Sequence, residues 1–124
     1  MRSIKLGIVG LGIIGKVHLN YCGRLQGASV GALCDVMPER ARQFGEEYSI
    51  PVYKDYREMI EQESLDGVLI LTDHFSHFPI ALAAMEKGIH VLVEKPVTVR
   101  ASQAQAMVAL ARKKNLVLAV DFCM

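Results

Sequence analysis

Three glycines, one acid and a Glu-Lys-Pro triplet are the residues whose types and spacing can do chemistry in this sequence. Gly10, Gly12 and Gly15 form the pattern G-x-G-x-x-G, with Leu11, Ile13 and Ile14 between them. The first glycine allows a tight turn and the second lets backbone approach a diphosphate. The third lets a helix pack closely on the preceding strand. The N–H groups opening that helix, those of Ile13 and Ile14 included, then face an anion with the helix dipole behind them. The pattern alone marks many turns, so its meaning rests on a strand before it and a helix after it. Asp35 stands twenty positions after Gly15. An acid there accepts from the ribose hydroxyls of a dinucleotide and repels a 2′-phosphate, which favours NAD over NADP. The alternative is that it only ends a strand and caps the turn before Pro38. Arg40 and Arg42 are near enough in sequence to pair with a phosphate and weaken the preference.

Glu94-Lys95-Pro96 follows an apolar run. A lysine at the carboxyl end of a parallel strand can donate to a substrate oxygen or act as a general acid/base in hydride transfer. Glu94 can orient Lys95 or a nicotinamide ribose, and Pro96 fixes the backbone. On spacing alone, a surface salt bridge followed by a proline stop explains the triplet at least as well. Asp73, His74 and His77 raise the question of a metal, because His-x-x-His can place two imidazoles on one helical face. A third ligand beyond Asp73 and a second shell are missing, so a polar contact to a cofactor is the simpler reading and no metal is expected. His18 and His90 fall inside a helix and a strand and read as structural, and the stripe of Met107, Val108 and Leu110 reads as packed core.

The elements that must position these groups alternate regularly. Strands are expected at 4–9, 29–34, 51–53, 67–71, 89–93 and 116–120, and helices at 13–25, 38–48, 55–62, 76–87 and 100–114. Pro38 suits a first helical turn, Asp55 an N-cap and Gly88 a helix stop. Near-continuous apolar strands alternating with helices predict a parallel sheet covered on both faces. The expected fold is therefore α/β, a doubly wound Rossmann domain with a six-stranded, mainly parallel sheet over residues 1–124. There are no repeats, low-complexity tracts or linkers.

Composition narrows the function. With 124 residues, 52% of them hydrophobic, the chain can bury one real core. A formal net charge of +1 with interspersed signs gives no basic face for nucleic acid. No apolar run reaches the length of a membrane span, and residues 1–10 lack a signal-peptide pattern. Cys22, Cys34 and Cys123 are widely spaced and form no CxxC pair, as expected of thiols in a reducing compartment, here the cytoplasm.

The loop GIVGLGIIG at 7–15, Asp35, the stretch GIHVLVEKP at 88–96, and Thr72 with His77 five positions on together resemble the Gfo/Idh/MocA family of oxidoreductases. The resemblance covers the whole chain. It implies an NAD(P)-binding domain followed by a larger α/β domain that shapes the substrate site and forms subunit contacts, hence a possible homo-oligomer. It implies hydride transfer between the cofactor and a secondary alcohol of a sugar or cyclitol. Lys95 matches the family's lysine at the reacting oxygen and Glu94 the acid beside it, while Thr72, His74 and His77 fall in the cofactor loop. Asp73 and His74 replace the family's usual proline and asparagine. The second domain, with a further catalytic acid and histidine, is absent from the sequence, so the chain alone is expected to bind cofactor and not to turn over. The competing expectation is a free-standing NAD(H)-binding or sensing module without catalysis, for which Lys95 would be superfluous.

Overall fold

Strand β4 (Gly67–Ile70) is buried at every position, which is the burial of a strand covered on both faces. In the computed structural model of the chain, the described residues are 3–95, Thr98 and 100–121, without the side chains of His74 and Asp121. Pro96 and Cys123 lie outside them. The strands β1 (Ile4–Val9), β2 (Ala28–Cys34), β3 (Val52–Tyr53), β4, β5 (His90–Glu94) and β6 (Leu118–Asp121) form one sheet in the order β3-β2-β1-β4-β5-β6. Every pairing is parallel. The sequence-based expectation of a doubly wound sheet holds, and its direction of winding reverses between β1 and β4. In such sheets the crevice outside the strand carboxyl ends at this reversal is where ligands bind.

Helices α1 (Ile13–Cys22) and α2 (Pro38–Tyr48) cover one face, and α3 (Tyr56–Gln62), α4 (His74–Glu86) and α5 (Ala101–Lys113) the other. Register sets Leu33, Ile8, Leu69 and Leu92 in one row across four strands. That row packs on Leu19 and Cys22 of α1 and Phe44 of α2. The opposite face carries the larger core, in which Met59, Met85 and Met107 reach in from α3, α4 and α5.

Local signals explain most helix ends. Pro38 opens α2, and the Asp55 side chain accepts the Arg57 amide at 2.9 Å to cap α3. Gly88 follows α4 at φ +79°, a left-handed turn that glycine takes without strain. The start of α4 differs from the expectation. The helix begins at His74, two residues early, because Asp73 is an N-cap that accepts the Phe75 amide at 3.1 Å. Pro79, which lacks a helical N–H, makes the earlier start hard to read, yet it is accommodated within the helix.

Glu63, just after α3, binds Lys5 Nζ at 2.9 Å and accepts the Tyr53 hydroxyl at 2.5 Å. This joins β1, β3 and the exit of α3. The Tyr53 hydroxyl, then Lys5, hold the Glu63 carboxyl below its ordinary range, and the Glu63 bond pushes the Tyr53 phenol up to about 12. Cys22 and Cys34 are buried free thiols. No helix among the described residues is long and apolar enough to cross a membrane.

Candidate cofactor site

The three glycines of the loop after β1 are there for different reasons. Gly10 has φ +101°, and a Cβ on it would lie 2.7 Å from the backbone of Leu71, on the neighbouring exit of β4. A Cβ on Gly15 would run into the carbonyl oxygen of Gly10. Both glycines are demanded by the protein's own packing. Gly12 is not, since its φ is −78° and an added Cβ would meet only the Arg40 guanidinium, at 3.8 Å. What its missing side chain leaves is open space at the N-terminus of α1. That terminus has no side-chain cap and no acid in its first turn, so its N–H groups and dipole can receive an anion. Ile13 and Ile14 contribute backbone there, and the Ile13 side chain is 86% exposed.

Asp35 is 6% exposed and sits where β2 ends. Its Oδ2 accepts the Leu11 amide and its Oδ1 the Met37 amide, each at 2.8 Å. The Arg40 guanidinium stands 3.5 Å from Oδ2. The acid therefore organises the loop as well as facing the crevice, and each oxygen keeps a lone pair beyond these two backbone donors. Arg42 points elsewhere, to Glu39 at 2.7 Å and Glu46 at 3.5 Å. Beside Asp35, burial and then the Asp35 and Asp55 charges push the Cys34 thiol up to about 12, which keeps it protonated and inert.

A cavity of about 430 Å³ joins these parts, with Gly10, Gly12, Asp35 and Thr72 on its wall. Arg40, Lys54, Tyr56 and Arg57 line it as well, and sequence reasoning did not single out the last three. The signal was β3: a short strand beside β2 must deliver the residues that follow it next to Asp35. Arg57 lies 4.7 Å from the centre of the Tyr56 ring, which gives this wall a flat cationic surface.

His77 stands behind the loop. It is 1% exposed, and its Nε2 lies 3.1 Å from the Thr72 carbonyl oxygen. A carbonyl only accepts, so Nε2 carries the proton of this bond. The Thr72 hydroxyl donates to the Asp73 carbonyl at 3.1 Å, and the Ser76 hydroxyl donates to the Asp73 carboxylate at 3.2 Å. The spacing of Thr72 and His77 thus appears as a clamp under the β4 exit. The backbone of His74 opens α4 beside the cavity, and its side chain lies outside the described residues. Among the described residues no three His, Cys, Asp or Glu side chains gather to hold a metal.

Glu94 and Lys95 stand on the far side of the reversal point, at the end of β5 and away from that cavity. Lys95 is exposed. Glu94 is half-buried, and its Oε2 lies 4.0 Å from His18 Nε2 on α1. The acid expected to orient Lys95 or a ribose therefore also faces a histidine expected to be only structural. A pair of glycines and a cationic, acid-lined pocket on one side, with an acid and a lysine on the other, fit a nicotinamide dinucleotide laid across the switch point.

Comparison with known proteins identifies the fold and the family. Residues 4–122 match the GFO_IDH_MocA oxidoreductase family, NAD-binding Rossmann fold. Inositol 2-dehydrogenase of Salmonella typhimurium is 34% identical over 116 residues, 91% of this chain and 34% of that protein. Myo-inositol 2-dehydrogenase of Thermotoga maritima is 28% identical over 120 residues, 96% of this chain and 36% of that protein. The crystal structure of the WlbA dehydrogenase from Bordetella pertussis, in complex with NADH and UDP-GlcNAcA, superposes with a TM-score of 0.92. It is 26% identical, and the match covers 97% of this chain and 37% of that one. Scyllo-inositol dehydrogenase from Lactobacillus casei, with NAD(H) and scyllo-inositol, gives 0.90 at 27% identity over 96% of this chain and 36% of that one. The chain thus spans about a third of the length of the relatives it matches.

Proposed function

This chain belongs to the Gfo/Idh/MocA family of oxidoreductases as an NAD-binding Rossmann domain, and from that premise we propose that it is the cofactor half of an NAD-dependent dehydrogenase. The observation that carries the reading is Gly12, a position where the protein itself has no need of glycine and a diphosphate does. The cofactor, when bound, supplies a nicotinamide ring that takes or gives a hydride. Gly12 and the first turn of α1 hold the diphosphate by N–H groups and dipole. Asp35 accepts from the adenosine ribose and, being buried and anionic, opposes a 2′-phosphate, so NAD is preferred over NADP. The cavity wall of Arg40 and Tyr56 takes the adenosine end.

The substrate class proposed is a polyol, a cyclitol or sugar with a reacting secondary alcohol. At the carboxyl end of β5, the exposed Lys95 side chain donates to that oxygen as an ammonium, or takes its proton as the neutral amine. Among the described residues Lys95 is exposed, so water screens its charge, and hydride transfer needs a substrate carbon held in a near-attack position. The proposed turnover calls for a second wall over Lys95; the relatives matched are about three times as long as this chain. Calorimetric titration of the chain with NADH and NADPH tests the reading. Tighter binding of NADH is expected, and equal or tighter binding of NADPH would overturn the preference assigned to Asp35.

A further inference from the structure

The crevice is served by two elements that the sheet keeps apart. Helix α1 starts at the glycine loop and packs over β1 and β2, whereas Glu94 ends β5, separated from β1 by β4. Glu94 lies two positions after Leu92 and so shares its face of the sheet, the face on which α1 lies. His18 comes three residues after Gly15, one turn along the helix, and therefore points from the same flank. Their side chains meet at 4.0 Å across β4, both largely withdrawn from water at 17% and 16% exposure. A carboxylate in such a place is costly to bury without a partner. The separation is that of a close polar contact, somewhat longer than a direct hydrogen bond.

A dinucleotide whose adenosine end is fixed at Asp35 and whose diphosphate lies on α1 must extend over the ends of β4 and β5. Glu94 then stands at the nicotinamide end. We propose that His18 is a positioning residue that sets the Glu94 carboxylate for the nicotinamide riboside. It thereby makes the diphosphate helix and the β5 end a single rigid unit. The proposal rests on the reading of the chain as a dinucleotide-binding domain. It assigns a specific consequence to His18: the residue acts on the nicotinamide half of the ligand and leaves the adenosine half alone.

The probe pair is NADH and ADP, which lacks both the nicotinamide and the ribose that carries it. In His18→Leu, NADH affinity is expected to fall by about fivefold or more, the order of a lost interaction with a buried charge, while ADP affinity stays within about twofold. His18→Gln, which places a side-chain N–H near the position of Nε2, is expected to restore most of the NADH affinity and the fluorescence of bound NADH. Glu94→Gln should reproduce the loss, and the double variant should lose no more than either single one. Unchanged NADH affinity in His18→Leu, or an equal loss for NADH and ADP in both His18 variants, would overturn the proposal and leave the dinucleotide-binding reading standing. A parent chain that binds neither probe would overturn both.

Discussion

The Asp35 carboxylate accepts the amide of Leu11 across 24 residues of sequence, so the acid that ends β2 also holds the tip of the glycine loop. Its other oxygen accepts the Met37 amide, which fixes the approach to α2. Removing this side chain strands two backbone donors, one of them buried. Asp35→Ala is therefore expected to cost about 1–3 kcal/mol of stability besides altering cofactor choice. Urea unfolding of the variant measures it. An unchanged midpoint with only a changed NADH to NADPH ratio would show that the carboxylate faces the ligand alone.

The glycines divide cleanly by what opposes a side chain. Gly10→Ala forces a residue into a left-handed backbone against Leu71, and Gly15→Ala drives α1 off the carbonyl of Gly10. Each should cost about 2 kcal/mol or more and lower the melting temperature. Gly12→Ala has ordinary backbone angles and space, so its stability should stay within about 0.5 kcal/mol. Its NADH affinity should nonetheless drop by at least about tenfold, because the methyl group occupies the diphosphate's approach. Calorimetry with thermal melts of the three variants separates the two effects, and a Gly12→Ala chain that binds normally would contradict the assignment.

Glu63 and Tyr53 set a pH window for stability. The Glu63 carboxyl lies below its ordinary value of 4.5 in the folded chain, so its contribution is present above that value and is lost as the pH falls through the folded one. Tyr53 lies above its ordinary 10.0, at about 12, so its contribution is complete below 10.0 and is lost as the pH rises through 12. Tyr53→Phe should therefore flatten the stability profile at both its acid and its alkaline edges. Chemical denaturation of parent and variant across the pH range gives that comparison, and parallel profiles would show that the pair adds nothing.

The sheet was legible because its strands are nearly all apolar and its helices carry ordinary start and stop residues. Gly12 and Asp35 were legible as well, since a dinucleotide imposes one spacing on the turn and the acid. The start of α4 was not, because Asp73 as a cap and Pro79 inside the helix give opposed local signals and tertiary packing decides between them. Lys54, Tyr56 and Arg57 carry no motif, and only the placement of β3 beside β2 brings them to the pocket. The meeting of His18 and Glu94 depends on a helix reaching across an intervening strand, a relation that no spacing within one segment encodes.

The strand order has a consequence for how the chain comes together during synthesis. β1 is made first and ends in the middle of the sheet, with β2 on one side and β4 on the other. Each later strand can then be laid on an edge that is still open: β2 and β3 outward in one direction, β4, β5 and β6 outward in the other. No strand has to be threaded between two that are already paired. The demanding event is the docking of β4, which must close a loop of about sixty residues before Lys5 and Asp66 can join. Until then the free flank of β1 is a bare, apolar template, open to a strand of any neighbouring nascent chain.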